Sequence, residues 1–169
     1  MHGTYEIVDD RSALSFERRL AHSVERVWRA VSEPGELAHW FPSAMSGELT
    51  PGGMLTFEFP GGEMPPMQGE VIEVDPPRSL AFTWGDDMLR IELERDDDGC
   101  VLHFTVLFDD SARASRDAAG WHVCLELLER HLAGVETRSP TTDATPDWRE
   151  LYAEYQRRGL PAGAPLPGD

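Results

Sequence analysis

From Ser111 to Gly134 the apolar residues Ala114, Ala118, Trp121, Leu125, Leu128 and Leu132 fall in alternating steps of four and three. That spacing keeps one stripe on one side of a 3.6-residue helix. Cys124 and His131 flank the stripe, and Arg113, Arg116, Glu126 and Arg130 occupy the opposite side. Ser111 suits the N-cap and Gly134 the C-terminal stop.

Before this helix the pattern is one of strands. Ser12 to Ala21 alternates, with Leu14, Phe16 and Leu20 on one face and Ser15, Glu17 and Arg19 on the other. Arg18 falls on the apolar face, where an ion pair at the core edge is expected. Ser23 caps a short helix through Val31, and Pro34 opens a second, Gly35 to Trp40, ended by Phe41-Pro42. From Gly47 short apolar alternations alternate with turns at Pro51-Gly52-Gly53, Pro60-Gly61-Gly62, Asp75 to Arg78, Gly85-Asp86-Asp87 and Asp96 to Gly99. Glu63 to Pro66 reads as a loop. Met67 to Val74 has mixed parity, because Val71, Ile72 and Val74 do not share a face. Six or seven strands at hairpin spacing predict a curved antiparallel sheet wrapped around the long helix, an α+β fold. Residues 1–11 are expected as a flexible leader and 12–134 as the body. Residues 135–158 should form a linker and a docking helix that begins at Thr145-Pro146-Asp147. The Pro- and Gly-containing tail 159–169 is expected to be disordered.

Charge narrows the range of partners. The 169 residues include 31 acidic and 15 basic side chains, a net charge of −16, and every basic residue is Arg. Such a surface repels phosphate backbones, so nucleic acid is excluded as an expected partner. No run of about 18 apolar residues spans a membrane. The acidic N-terminus has no signal-peptide core, so cytoplasm is the expected compartment. Cys100 and Cys124 form no metal spacing.

The familiar catalytic spacings are missing: there is no HExxH, GxSxG, P-loop or CxxC. No two of the six His share a metal-like helical spacing, so neither a metal nor a cofactor is expected. His131 is the His best placed for a pocket. Cys124 reads as a small buried hydrophobe, and Asp109, Asp110 and Asp117 suit a helix N-terminus. What stands out is aromatic density on the inward positions. Trp40, Phe41, Phe57, Phe59, Met67, Trp84, Phe104, Trp121 and Leu125, with His131, form the expected ligand-binding set. The alternative is that these rings simply fill the core.

Several segments resemble a known family. They are Phe16-Glu17-Arg18, Val27-Trp28-Arg29-Ala30, Pro34 to Leu37 with Trp40-Phe41, and Gly52-Gly53 before Leu55. The most specific is Gly69 to Arg78 followed by Phe82-Thr83-Trp84, and Gly120-Trp121 with its Leu ladder completes the set. Over Ser12 to Gly134 the chain resembles bacterial proteins similar to the Activator of Hsp90 ATPase C-terminal domain, within the START-like, Bet v 1-like (SRPBCC) superfamily. The resemblance implies a helix-grip fold with a hydrophobic cavity between sheet and long helix. It carries over no catalytic signature. The function expected is non-catalytic binding of an apolar or aromatic, lipid- or polyketide-like small molecule, by a monomer or homodimer. The alternatives are a cyclase- or hydrolase-like enzyme, or a co-chaperone or stress-response protein that meets a protein partner through its surface.

The charge argument is directly testable. In a filter-binding or anisotropy titration at about 150 mM salt, the protein should show no salt-sensitive binding to duplex DNA. Tight binding there would overturn it.

Overall fold

The computed structural model describes residues 1–169 apart from residue 63, so the loop expected over Glu63 to Pro66 begins outside the described residues. Eight strands form one antiparallel sheet in the order β1-β2-β8-β7-β6-β5-β4-β3. From β3 (Ala44–Gly47) through β4 (Met54–Glu58), β5 (Met67–Asp75), β6 (Ser79–Trp84) and β7 (Asp87–Asp96) to β8 (Gly99–Phe108), each strand pairs with the next. β2 (Arg11–Leu20) then closes on β8. β2 and β3 therefore lie far apart in the sheet. The chain spans that distance with α1 (Val24–Ser32) and α2 (Pro34–Leu37).

The sheet has more strands than the six or seven expected, and two of the eight have no counterpart in that reading. One is β3. The other is β1 (Thr4–Val8), which lies within the segment expected as a flexible leader. It pairs with β2 through the two-residue turn Asp9-Asp10, both with positive φ, 49° and 65°. Such turns match the twist of a hairpin but usually carry Gly at the second position, and Asp10 in its place gives little warning. The mixed parity of β5 also has a structural cause. Its register against β6 shifts between Val71 and Glu73. This bulge leaves Ile72 48% exposed while Val71 is buried, and Val74 packs against the core.

α1 begins at Ser23, whose side chain accepts from the Arg26 amide. Its Val24, Val27, Ala30 and Val31 are buried. α2 is shorter than the helix expected over Gly35 to Trp40. After Leu37 the chain turns so that Trp40 and Phe41 enter the core, and the Trp40 indole N–H donates to the Ala30 carbonyl at 2.9 Å. α3 (Ala114–Leu132) follows a 3-10 turn over Ser111–Arg113 that Asp110, rather than Ser111, caps. Gly134 ends it with φ 81°. The predicted stripe Ala114, Ala118, Trp121, Leu125, Leu128 and Leu132 is buried throughout. Arg18 sits at the core edge with its Nε 3.7 Å from Glu129 of α3 and its Nη1 donating to the Glu17 carbonyl.

α4 (Pro146–Arg157) starts at Thr145, whose hydroxyl accepts from the Trp148 amide, and docks on α3 through buried Trp148 and Tyr155. Residues 159–169, expected to be disordered, instead run back along the start of α3. Ser115 donates its amide to Pro161 and its hydroxyl to Leu160, and the Ala164 amide donates to Ala112. Leu160 and Leu166 pack against the core, which explains the order. No described helix is long and apolar enough to cross a membrane.

Trp121 is 5% exposed, with ring centroids 5.0 Å from Phe104, 5.4 Å from Trp84 and 5.7 Å from Phe41. Trp121→Ala should therefore lower stability by about 3–5 kcal/mol. A loss below about 1 kcal/mol in urea unfolding would show that α3 is not held through this ring.

Candidate functional site

The residues singled out for ligand binding separate into two groups. Trp40, Phe41, Phe57, Phe104 and Leu125 are at most 1% exposed and fill the space between sheet and α3. Phe57 stacks on Phe82 at 5.7 Å, and Phe41 contacts Phe57, Phe82, Trp84 and Trp121. The interior is thus occupied by rings. Phe59, Trp84 and Trp121 instead border a cleft of about 630 Å³ along the flank of α3. Met67 is half-buried beneath the Gly85 turn, where a Cβ at Gly85 would meet its sulfur at 2.8 Å.

The cleft arises because α3 has three faces. One is the buried stripe on the sheet. A second, with Ser115, Ala119 and His122, is covered by α4 and the C-terminal segment. The third carries Gly120, Val123, Cys124 and Leu127, and neither covers it. Trp84 and Phe59 at the ends of their strands form one wall. Trp148 of α4 and the segment 136–145 form the other. That segment is a strap held from below. The Ser139 amide donates to Ala38 at 2.9 Å, its hydroxyl to Phe41 at 2.6 Å, and His39 Nδ1–H donates to the Thr137 carbonyl at 2.7 Å.

Sequence reasoning missed Gly120, Val123, Leu127 and Trp148 as cleft residues. The signal was present: Gly120, Val123 and Leu127 repeat at helical spacing outside the core stripe, a second apolar stripe that the sheet does not need. It also missed the charge network at one end of the cleft. Arg113 donates twice to Asp87, at 3.0 and 2.6 Å, and once to Asp117 at 2.8 Å, while Arg116 donates to Asp117 at 2.9 Å. Burial pushes the Asp117 carboxyl up despite its two guanidinium partners. The carboxylates around Arg113 outweigh the opposing effect of burial and raise its already high pKa. Both Asp117 oxygens are thus engaged by guanidinium donors. Burial also pushes the Cys124 thiol up to about 12, so it sits in the cleft as an apolar lining group.

A family model described as Activator of Hsp90 ATPase homolog 1-like protein matches residues 21–133. The chain belongs to this family. Among solved structures, CalU16 from Micromonospora echinospora superposes with a TM-score of 0.71 at 20% identity, over 92% of both chains. A conserved protein of unknown function from Enterococcus faecalis, EF2215, gives 0.72 at 21% identity, over 92% of this chain and 89% of its own. An AHSA1-like protein from Aeromonas hydrophila gives 0.61 at 20% identity, over 72% and 92%. No functionally curated protein matches the sequence. Likeness at this identity establishes the helix-grip fold, and what a family member does must come from its own site.

His131 does not line the cleft. Its Nε2–H donates to Glu36, which also pairs with Arg26 at 3.2 Å, and its ring stacks on His39 at 4.2 Å. Burial alone would raise the Glu36 carboxyl, but His131 and Arg26 hold it below the ordinary range. The group ties α3 to α2 and, through His39, to the strap.

A second buried chain of hydrogen bonds locks α4 to the N-terminus. The Tyr155 hydroxyl accepts from the Gly3 amide at 2.9 Å and, because the Glu126 carboxylate facing His122 Nε2 can only accept, donates to Nδ1 of the neutral ring at 2.8 Å. His122 therefore carries its proton on Nε2, which faces Glu126 at 3.2 Å. Burial, with Arg18 next, lowers His122 from 6.5 to about 4. The sign follows from the neutral ring being favoured in the fold. Above pH 6.5 His122 contributes no pH dependence. As pH falls from 6.5 to 4 the unfolded chain gains a proton that the folded chain refuses, and stability drops. The full drop is about 3 kcal/mol. Thermal melts between pH 7 and 4 should show an acid limb that is flatter in His122→Asn, whose carbonyl still accepts from Tyr155. Equal slopes in the two proteins would refute the assignment.

Proposed function

We propose that this protein binds an apolar or aromatic small molecule, lipid- or polyketide-like, in the cleft along α3, without chemical turnover. The observation that carries this reading is a cleft of about 630 Å³ faced by the indoles of Trp84, Trp121 and Trp148. That volume lies within the roughly 300–1,000 Å³ usual for small-molecule sites. Apolar side chains around a few fixed polar groups are the usual make-up of such a site. The binding reading also agrees with the state of the titratable groups. Asp117 is held by two arginines, Cys124 stays protonated, and the pairs His131–Glu36 and His122–Glu126 lie outside the cleft. A partner protein meeting the outer surface would not require this cleft, so blocking it separates that alternative.

Gly120 is the place to block it. A Cβ there meets nothing closer than Trp148 Nε1, at 3.9 Å. Gly120→Leu would grow into the cleft while removing a helix-interior glycine, a gain of about 0.5–0.8 kcal/mol in helix propensity. The neutral probe N-phenyl-1-naphthylamine should bind the wild-type protein with enhanced emission and quench Trp fluorescence. Gly120→Leu should weaken that binding at least about tenfold, with a melting temperature equal or higher. Affinity across a series of neutral alkyl ligands should rise by about 0.8 kcal/mol per CH₂ until the cleft is full. Absence of probe binding, or binding untouched by Gly120→Leu, would sink the proposal.

A further inference from the structure

The two long walls of the cleft differ in chemistry. On one side stand Trp84, Trp121, Val123 and Leu127. The strap opposite presents Glu136, Thr137, Arg138, Thr141, Thr142 and Asp143, and Trp148 turns its indole N–H toward Gly120. Charge around the cleft departs from the rest of the molecule. Among the described residues its lining includes four arginines against three carboxylates, in a chain whose carboxylates outnumber its arginines 31 to 15.

The four arginines are not equivalent. Arg113 and Arg116, at the start of α3, are consumed by Asp87, Asp117 and the Pro165 carbonyl. Arg130 lies on the same helix about 25 Å further along at 1.5 Å per residue. Arg138 is on the strap. Both are exposed, and among the described residues neither is paired with a carboxylate. Arg130 also favours the negative end of the helix dipole, but Arg138 has no such local reason to be there. Glu136 and Asp143 of the strap line the same cleft, but among the described residues neither pairs with Arg130 or Arg138, so both guanidinium groups stand open to a negative group beside the apolar wall. A carboxylate there can take bidentate hydrogen bonds from a guanidinium.

We infer that the ligand is an organic acid with an apolar body. The body lies against Trp84, Trp121 and Leu127, and the acid group meets Arg130 of α3 and Arg138 of the strap. The inference rests on the proposed binding in this cleft, and the test distinguishes the two. An acid without an apolar body gains nothing from the indole wall. A neutral body of the same shape leaves both arginines to water.

The probes are decanoate and 1-decanol, which share a chain length and differ in charge. Titrations of the full chain at pH 7.5, followed by Trp emission and calorimetry, should show decanoate binding at least about tenfold more tightly. The preference should shrink as salt rises from about 50 to 300 mM, because exposed charge pairs are screened. Arg138→Gln and Arg130→Gln should each reduce the affinity for decanoate several-fold and leave that for decanol unchanged. Equal binding of acid and alcohol, or a preference that survives in the double variant, overturns the anion assignment and leaves the cleft reading standing. Binding of neither probe overturns both. Decanoate binding that Gly120→Leu does not weaken places the acid elsewhere and overturns the inference.

Discussion

The seating of Trp121 against the sheet sets the arrangement of the rest. Its ring contacts Phe104 from β8, Trp84 from the end of β6 and Phe41 from the turn after α2. One side chain on α3 thus joins segments that enter the sheet at distant points of the chain. Large rings bring most of the apolar area available to such a core, and close packing fixes their relative positions. Because those rings already fill the space beneath the helix, the open volume lies along its flank. The sheet needs one stripe of α3 and α4 a second, and what remains is the face at Gly120, Val123 and Leu127.

Polar groups in this molecule mostly secure the pieces that the apolar core cannot hold. The Gly3–Tyr155–His122 chain pins the N-terminus and α4 together in a buried position. Arg113 joins the start of α3 to the start of β7 through Asp87, which is 5% exposed. Glu36, His131 and His39 connect α2, the end of α3 and the strap. Each arrangement satisfies groups that would be costly to bury alone. Together they set where the cleft walls stand. The site is therefore an outcome of long-range polar contacts laid over an aromatic core.

Much of the fold was legible along the chain. α3 appeared with its core stripe correct to the residue, since Ala114 to Leu132 repeats at the helical period and the sheet imposes the same face. The caps at Ser23 and Thr145 and the stop at Gly134 were equally readable, because capping is a local exchange of hydrogen bonds. β1, β3 and the packed C-terminal segment were not. Their order comes from partners elsewhere: β2 for β1, β4 for β3, and Ala112 and Ser115 for the tail. The bulge in β5 showed only as a loss of parity between Val71 and Val74.

The sequence by itself determined the long helix, its caps and six of the strands with their apolar faces, the family over residues 21–133, and a net charge that opposes nucleic acid. These depend on period, composition and short motifs, all properties of neighbouring residues. Only the tertiary structure decided which aromatic residues are core and which border open space. Phe41 and Phe59 look alike in the chain, yet one is 1% exposed among five other rings and the other stands at the cleft. The same holds for the pairing of Arg113 with Asp87, the stacking of His131 on His39, and the lack of a carboxylate partner for Arg130 and Arg138 among the described residues. The physical reason is that a void or an ion pair is a relation between surfaces that meet only after the chain has folded.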